Sequence, residues 1–185
     1  TSFPNNITDN VAPGTCAKII TWTVPTASDN CAATVTREGQ APNTSFNTGT
    51  HNIVYTATDE SGNAISGTLT ITVNDNEAPD IAGLPNDTTI NTDAGYCGAT
   101  FSWTAPTAID SCPNSTIALD PGSQNAGSFF ALEDSPFTVS YTATDAASNT
   151  YQASFQITVQ DKENPAIYGL PSDTILYVDN ANCTA

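Results

Sequence analysis

CGATFSWTAPTAIDSC (residues 97–112) and CAKIITWTVPTASDNC (residues 16–31) are one pattern written twice. In the later copy Ala99, Phe101, Trp103 and Ala105 alternate with Thr100, Ser102 and Thr104. Successive side chains of a strand point to opposite faces, so this spelling gives one apolar and one hydroxylated side. TVSYTAT (138–144) and YQASFQITV (151–159) behave likewise, turning Val139, Tyr141 and Ala143, and Tyr151, Ala153, Phe155, Ile157 and Val159, to one face. The earlier copy does so with Ile20/Trp22/Val24, Ile53/Tyr55/Ala57 and Ile65/Leu69/Ile71/Val73. One buried and one Thr-lined face is the mark of antiparallel sheet. Turn clusters NTGTHN, DESGN and DPGS separate the runs, and short strands at this spacing predict all-β, antiparallel β-sandwiches.

The duplication sets the domain organisation. Cys16, Trp22 and Cys31 recur as Cys97, Trp103 and Cys112 at an offset of 81, and Tyr55, Asp59 and Asp75 recur as Tyr141, Asp145 and Asp161 at 86. The five extra residues fall between Cys112 and Tyr141, and FFALEDSPF (129–137) against FNTGTHNI (46–53) puts them near that stretch. GLPSDTILYVDNANC (169–183) restarts GLPNDTTINTDAGYC (83–97). The expected units are therefore residues 1–76, N-terminally truncated, residues 77–162, complete, and residues 163–185, the start of a third. The whole reads as part of a longer array.

The formal charge is −16, with Lys18, Arg37 and Lys162 the strong cations. Such a balance excludes nucleic acid, whose phosphates require clustered Lys and Arg. It argues equally against an anionic membrane surface. No apolar run approaches the roughly 20 residues that span a bilayer.

Cys16, Cys31, Cys97 and Cys112 form two sets at the same 15-residue spacing, and Cys183 matches Cys97. Repeated pairs without neighbouring His, CxxC or Cys/His spacing predict disulfides in an oxidising, extracellular compartment rather than zinc. A chain that turns at Pro106 and comes straight back would bring Cys112 to Cys97, so the expected bond lies within each repeat. The alternative is Cys112 to Cys16 across the repeat junction. Trp22 and Trp103 are expected in the core beside the bridge, with the Tyr55 and Tyr141 hydroxyls satisfied at a sheet edge.

CGATFSWTAPTAIDSC, SYTATDAASN and ITVQDKENP, with their earlier copies CAKIITWTVPTASDNC, VYTATDESGN and ITVNDNEAP, resemble the hyalin-repeat (HYR) family of immunoglobulin-like modules. FNTGTHNIVY resembles the turn that leads into the Tyr strand of that family. The resemblance covers essentially the whole chain. It implies tandem immunoglobulin-like antiparallel β-sandwiches in a large secreted surface protein, with a role in adhesion or structure and no catalysis. Partners would be neighbouring repeats, other copies in a filament, or surface glycans and proteins. An accessory spacer or carbohydrate-binding module of a secreted hydrolase is the alternative. The family often carries a further cysteine before the first Pro and another in the last strand. IAGLP and SGTLTITV have neither, which leaves an even pair per repeat.

NDNEAP also partly resembles the calcium-binding linker of cadherins. Sandwich topology brings Asp75, Asn76 and Glu77 of the linker to the pole that holds Asp145 and Asn149. Asp110 joins them only if its loop stays at that pole, which a bond between Cys97 and Cys112 would prevent. Asp59 and Asn63 would face an earlier linker, and Asp161 and Glu163 a later repeat. Carboxylate and amide oxygens without His or thiolate select a hard cation, and Ca2+ suits such a set. The bland reading is that these acids solvate turns.

Catalysis is not expected, since His51 is the single histidine and sits beside a turn glycine. Paired carboxylates could serve glycoside hydrolysis, but here they recur at linkers and turns rather than in one cleft. Asn6, Asn43, Asn86, Asn114 and Asn182 begin N-glycosylation sequons. Thr88 and Thr174, in DTT (87–89) and DTI (173–175), resemble a bacterial O-glycosylation acceptor.

Overall fold

The computed structural model describes residues 3–169 and 172. Two β-sandwiches follow one another. The first contains β1 (Ile7–Asn10), β2 (Ala17–Ile20), β3 (Ala33–Glu38), β4 (Thr44–Asn47), β5 (Gly49–Asp59) and β6 (Ala64–Asn74). The second contains β7 (Asp80–Ala82), β8 (Thr88–Asn91), β9 (Gly98–Thr100), β10 (Thr107–Ile109), β11 (Thr116–Leu119), β12 (Phe129–Ala131), β13 (Phe137–Thr144) and β14 (Thr150–Gln160). Their sheets correspond: β1-β6-β5-β3 faces β2-β4, and β8-β14-β13-β11 faces β9-β12. A short β7-β10 pair is added in the second. Residues 163–185, expected to open a third repeat, fall mostly outside the described residues.

Alternation does the folding work. Val139, Tyr141 and Ala143 are buried in β13, and Phe155, Ile157 and Val159 in β14. Each sandwich closes its own core around a fully buried phenylalanine, Phe46 in one and Phe130 in the other. Ile65 and Tyr151 depart from the pattern, exposed at the hairpin ends of β6 and β14, and so do Val24 and Ala105, exposed beyond the ends of β2 and β9. One ladder type also departs from an all-antiparallel reading. β1 lies parallel to β6 and β8 parallel to β14, because the first and last strands of a repeat run between its poles in the same direction.

Strand register locates the five extra residues. Lys18 pairs with Phe46 in β2-β4, and its counterpart Ala99 pairs with Phe130 in β9-β12. Phe46 and Phe130 are thus equivalent at an offset of 84, three more than the cysteines and two fewer than the tyrosines. Of the three residues gained before Phe130, one lies between Cys112 and β11, since Ile117 pairs with Ala143 as Val35 does with Ala57, and two lie in the loop between β11 and β12. Two more belong to the stretch after Phe130, where a single 3-10 turn, Leu132–Asp134, is inserted.

The two tryptophans pack against the cores, as their place in the pattern predicts. Their partner differs from expectation. The Trp22 indole donates to the Tyr55 hydroxyl at 2.7 Å and the Trp103 indole to Tyr141 at 2.8 Å, so the hydroxyls are satisfied inside the sandwich rather than at an edge. The cysteine bridge is elsewhere.

Candidate functional site: the junction between the repeats

The bridge joins Cys16 to Cys112, with Cα atoms 4.9 Å apart. This corrects the within-repeat expectation. The chain does not turn back at Pro106; it runs on through β10, whose Ile109 pairs with Asp80 at the pole where the second repeat begins. Cys97 stays at the opposite pole, where its carbonyl accepts the Leu132 N–H. Cys31 and Cys97 are both free and exposed.

The same path carries Asp110 into the junction. Its carboxylate accepts the Cys112 N–H at 2.6 Å and comes within 4.8 Å of the Asp75 carboxylate and the Cys112 sulfur. That sulfur is bonded to Cys16 and is no thiolate ligand. Asp75 and Asp145 are buried. No Lys or Arg faces them among the described residues, where the one ion pair is Lys18 with Asp9. That contact, through the Lys18 hydrogen bond first, holds the Asp9 carboxyl below its ordinary range.

The acids expected at the poles have local tasks as well. Asp75 accepts the Glu77 N–H at 3.1 Å, and Glu77 reaches back to the Gly14 N–H at 2.7 Å. Asp161 and Glu163 repeat the device: Asp161 accepts the Glu163 N–H at 2.8 Å, and Glu163 accepts the Gly95 N–H at 3.1 Å. So the Asp-x-Glu spelling clamps the end of β6 or β14 onto the turn that follows β1 or β8. In the β13-β14 turn, Asp145 accepts the Asn149 backbone N–H and its side-chain amide, both at 2.8 Å. Asp59 and Asn63 do the same in the β5-β6 turn, adding the Ser61 N–H. These bonds, that from the Asn63 amide foremost, lower the Asp59 carboxyl from its usual value. The turns need one left-handed residue, Gly62 in one and Ser148 in the other.

The structure therefore gathers Asp75, Asn76 and Asn149 at the junction, around a cleft that both repeats line, with Asp110 close to Asp75. The Asn149 amide crosses to the Asp75 carbonyl at 3.1 Å. Asp145 stands beside them but spends both oxygens on its own turn. Asp59 and Asn63 lie at the far pole of the first repeat, and Asp161 and Glu163 at the far pole of the second. Sequence reasoning missed the Glu77–Gly14 and Asn149–Asp75 bonds. Only the recurrence of Gly two residues before each of Cys16 and Cys97 hinted at the first. His51 belongs to the first core's margin: its ring stacks edge-on with Phe46 at 5.2 Å and its Nε2 meets the Asn47 carbonyl at 2.8 Å. The Thr88 hydroxyl donates to the Asn86 carbonyl, whereas Thr174 lies outside the described residues.

Compared with known families, residues 1–73 and 74–159 each match the HYR domain. The chain belongs to the HYR family. Its HYR repeats are similar to hyalin of Lytechinus variegatus, 34% identical over 170 residues that cover 90% of this chain and 31% of the relative. Hyalin of Strongylocentrotus purpuratus is 32% identical over 162 residues, covering 84% of this chain and 13% of the relative. The chain thus spans under a third of either relative. Among solved structures, Drosophila N-cadherin EC1-3 covers 86% of the chain and 66% of its own length at 11% identity and a TM-score of 0.35. Human mucin-like protocadherin EC1-2 covers 85% and 95% at 13% identity and a TM-score of 0.34. Scores this low carry no argument about function. No helix among the described residues is long and apolar enough to cross a membrane.

Proposed function

We propose that these HYR repeats form a structural and adhesive segment of a longer extracellular or cell-surface protein, in which each junction is locked rather than hinged. The observation that carries this reading is the Cys16–Cys112 bond, which ties the end of one sandwich to the start of the next. A bond of this kind persists in oxidising, extracellular surroundings. The Asn149–Asp75 contact adds a second crossing point. The partners implied are neighbouring repeats, other copies of the chain, and surface glycans or proteins. No catalytic activity is assigned, and the seating of His51 against Phe46 supports a packing role for it.

Calcium at the junction is part of the proposal. Every buried side-chain polar atom among the described residues has a partner, so the fit rests on the donor set alone. Two carboxylates within 4.8 Å of one another repel by about 3.5 kcal/mol or more at an effective dielectric of about 20. Asp75 and Asp110, with amide oxygen from Asn76 or Asn149, form a hard-oxygen set of the kind Ca2+ accepts. The ion would neutralise the two acids and stiffen a joint already covalently closed. Thr88 and Thr174 are proposed as glycan acceptors, which an intact mass above 19.2 kDa would reveal.

Small-angle scattering on the whole chain tests the locked joint. The oxidised protein should give one narrow distribution of inter-sandwich distances that broadens on reduction. Indistinguishable curves would overturn it. Calorimetric titration tests the ion: Ca2+ should bind in the millimolar range, and Asp110→Asn should abolish the heat. Absence of binding to the wild-type chain would remove calcium and leave the disulfide reading standing.

A further inference from the structure

We infer that Cys31 and Cys97 are the two open halves of a disulfide ladder, each bonding a cysteine of an adjoining HYR repeat as Cys16 bonds Cys112. The inference deepens the locked-junction reading and rests on it. Offset 81 makes Cys97 the counterpart of Cys16 and Cys31 the counterpart of Cys112.

The surroundings of each pair agree as well as the sequence does. The Cys16 carbonyl accepts the N–H of Thr48, the residue after β4; the Cys97 carbonyl accepts the N–H of Leu132, the residue after β12. Two positions before each cysteine, a glycine N–H is held by a linker glutamate, Gly14 by Glu77 and Gly95 by Glu163. The trailing pole of the second repeat is therefore built like that of the first, with its cysteine presented in the same seat. At the leading pole, Cys31 precedes β3, whose Ala33 pairs with Asp59, the last residue of β5 before the β5-β6 turn. Cys112 precedes β11, whose Thr116 pairs with Thr144 beside the β13-β14 turn. Cys31 and Cys97 are exposed at opposite ends of the pair of sandwiches, so they do not meet within one chain.

The chemistry balances with a small-molecule disulfide as oxidant. The Cys97 thiolate attacks oxidised glutathione and releases one glutathione thiol. The partner cysteine then displaces the second glutathione. Two protein thiols become one disulfide, and the oxidant leaves as two thiols carrying the two protons.

The partner repeat can come from the same polypeptide or from a second copy of it, and two arms separate these sources. In the first, the full chain bearing Cys183→Ser is oxidised in glutathione buffer at high and low protein concentration. Bonds are mapped by mass spectrometry under non-reducing conditions. Joining between copies should be Cys31 to Cys97, well above the half that random pairing of two thiols gives. It should vanish with either Cys31→Ser or Cys97→Ser. In the second arm, a further copy of residues 77–162 follows residue 162 of the whole chain. Cys97 should then bond the added counterpart of Cys112 at any dilution. Selective pairing in either arm supports the ladder. Scrambled or absent pairing in both, with Cys16–Cys112 intact, overturns the ladder but spares the locked junction. Bonds from Cys16 to Cys31 and from Cys97 to Cys112 would overturn both.

Discussion

Removing a cysteine from one repeat should destabilise the other. With Cys16 bonded to Cys112, unfolding the first repeat alone leaves a closed loop of roughly 60 residues, from Cys16 to the folded edge of the second repeat near Asp75. Unfolding the second alone leaves a loop of roughly 37, from that edge to Cys112. The chain-entropy relation assigns about 4.3 kcal/mol to the first loop and about 3.8 kcal/mol to the second. Cys112→Ala should therefore weaken both repeats by about 4 kcal/mol. In guanidinium, with a slope of about 2 kcal/mol/M for domains this size, each midpoint should fall by about 2 M. The repeats can be read separately, since Trp22 reports on the first and Trp103 on the second. Trp103→Phe and Trp22→Phe backgrounds, with Cys31→Ser and Cys97→Ser to prevent exchange, isolate each signal. The decisive curve is that of Trp22, in the repeat that keeps all its own atoms. If Cys112→Ala leaves its midpoint unmoved, the cross-junction reasoning fails.

Three further outcomes are expected. Tyr55→Phe and Tyr141→Phe each remove the acceptor of a partly buried indole N–H, so each should cost its own repeat about 1–2 kcal/mol in urea denaturation and leave the other unchanged. Glu77→Ala should speed hydrogen exchange at Gly14, and Glu163→Ala at Gly95, with a loss of about 1 kcal/mol or less because these bonds are exposed. Asp59 titrates below its ordinary 3.8 in the fold, so the turn it caps is fully supported above that value and loosens as pH falls through the lowered folded value. Carboxyl NMR should place its midpoint below 3.8, and Asn63→Ala should raise it.

Much of the fold was legible because burial on one face writes itself into a period of two. Val139, Tyr141 and Ala143 could hardly be read otherwise. Alternation says nothing about strand direction, so the parallel seating of β1 on β6 and β8 on β14 was silent. The cysteine pairing failed for a related reason. A spacing of fifteen residues from Cys97 to Cys112 suits a hairpin or a straight run equally, and the choice depends on whether the chain reverses at Pro106. It does not, and Ile109 finds β7 instead. The error spread to Asp110, which a hairpin would have withdrawn from the junction. In the fold, the first partners of these acids are backbone N–H groups such as those of Glu77 and Asn149. A carboxylate that caps a turn and one that awaits an ion look alike in sequence.

Because Cys97 and Cys112 sit at opposite ends of one sandwich, the stretch between them is a tie rod. Pull on an array bonded throughout as Cys16 is to Cys112, and tension passes along this 15-residue segment, through sulfur, and into the next. Fully drawn out, that segment reaches only about 50 Å, against about 290 Å for the 86-residue period it spans. The sheets on either side could tear open without the array giving way.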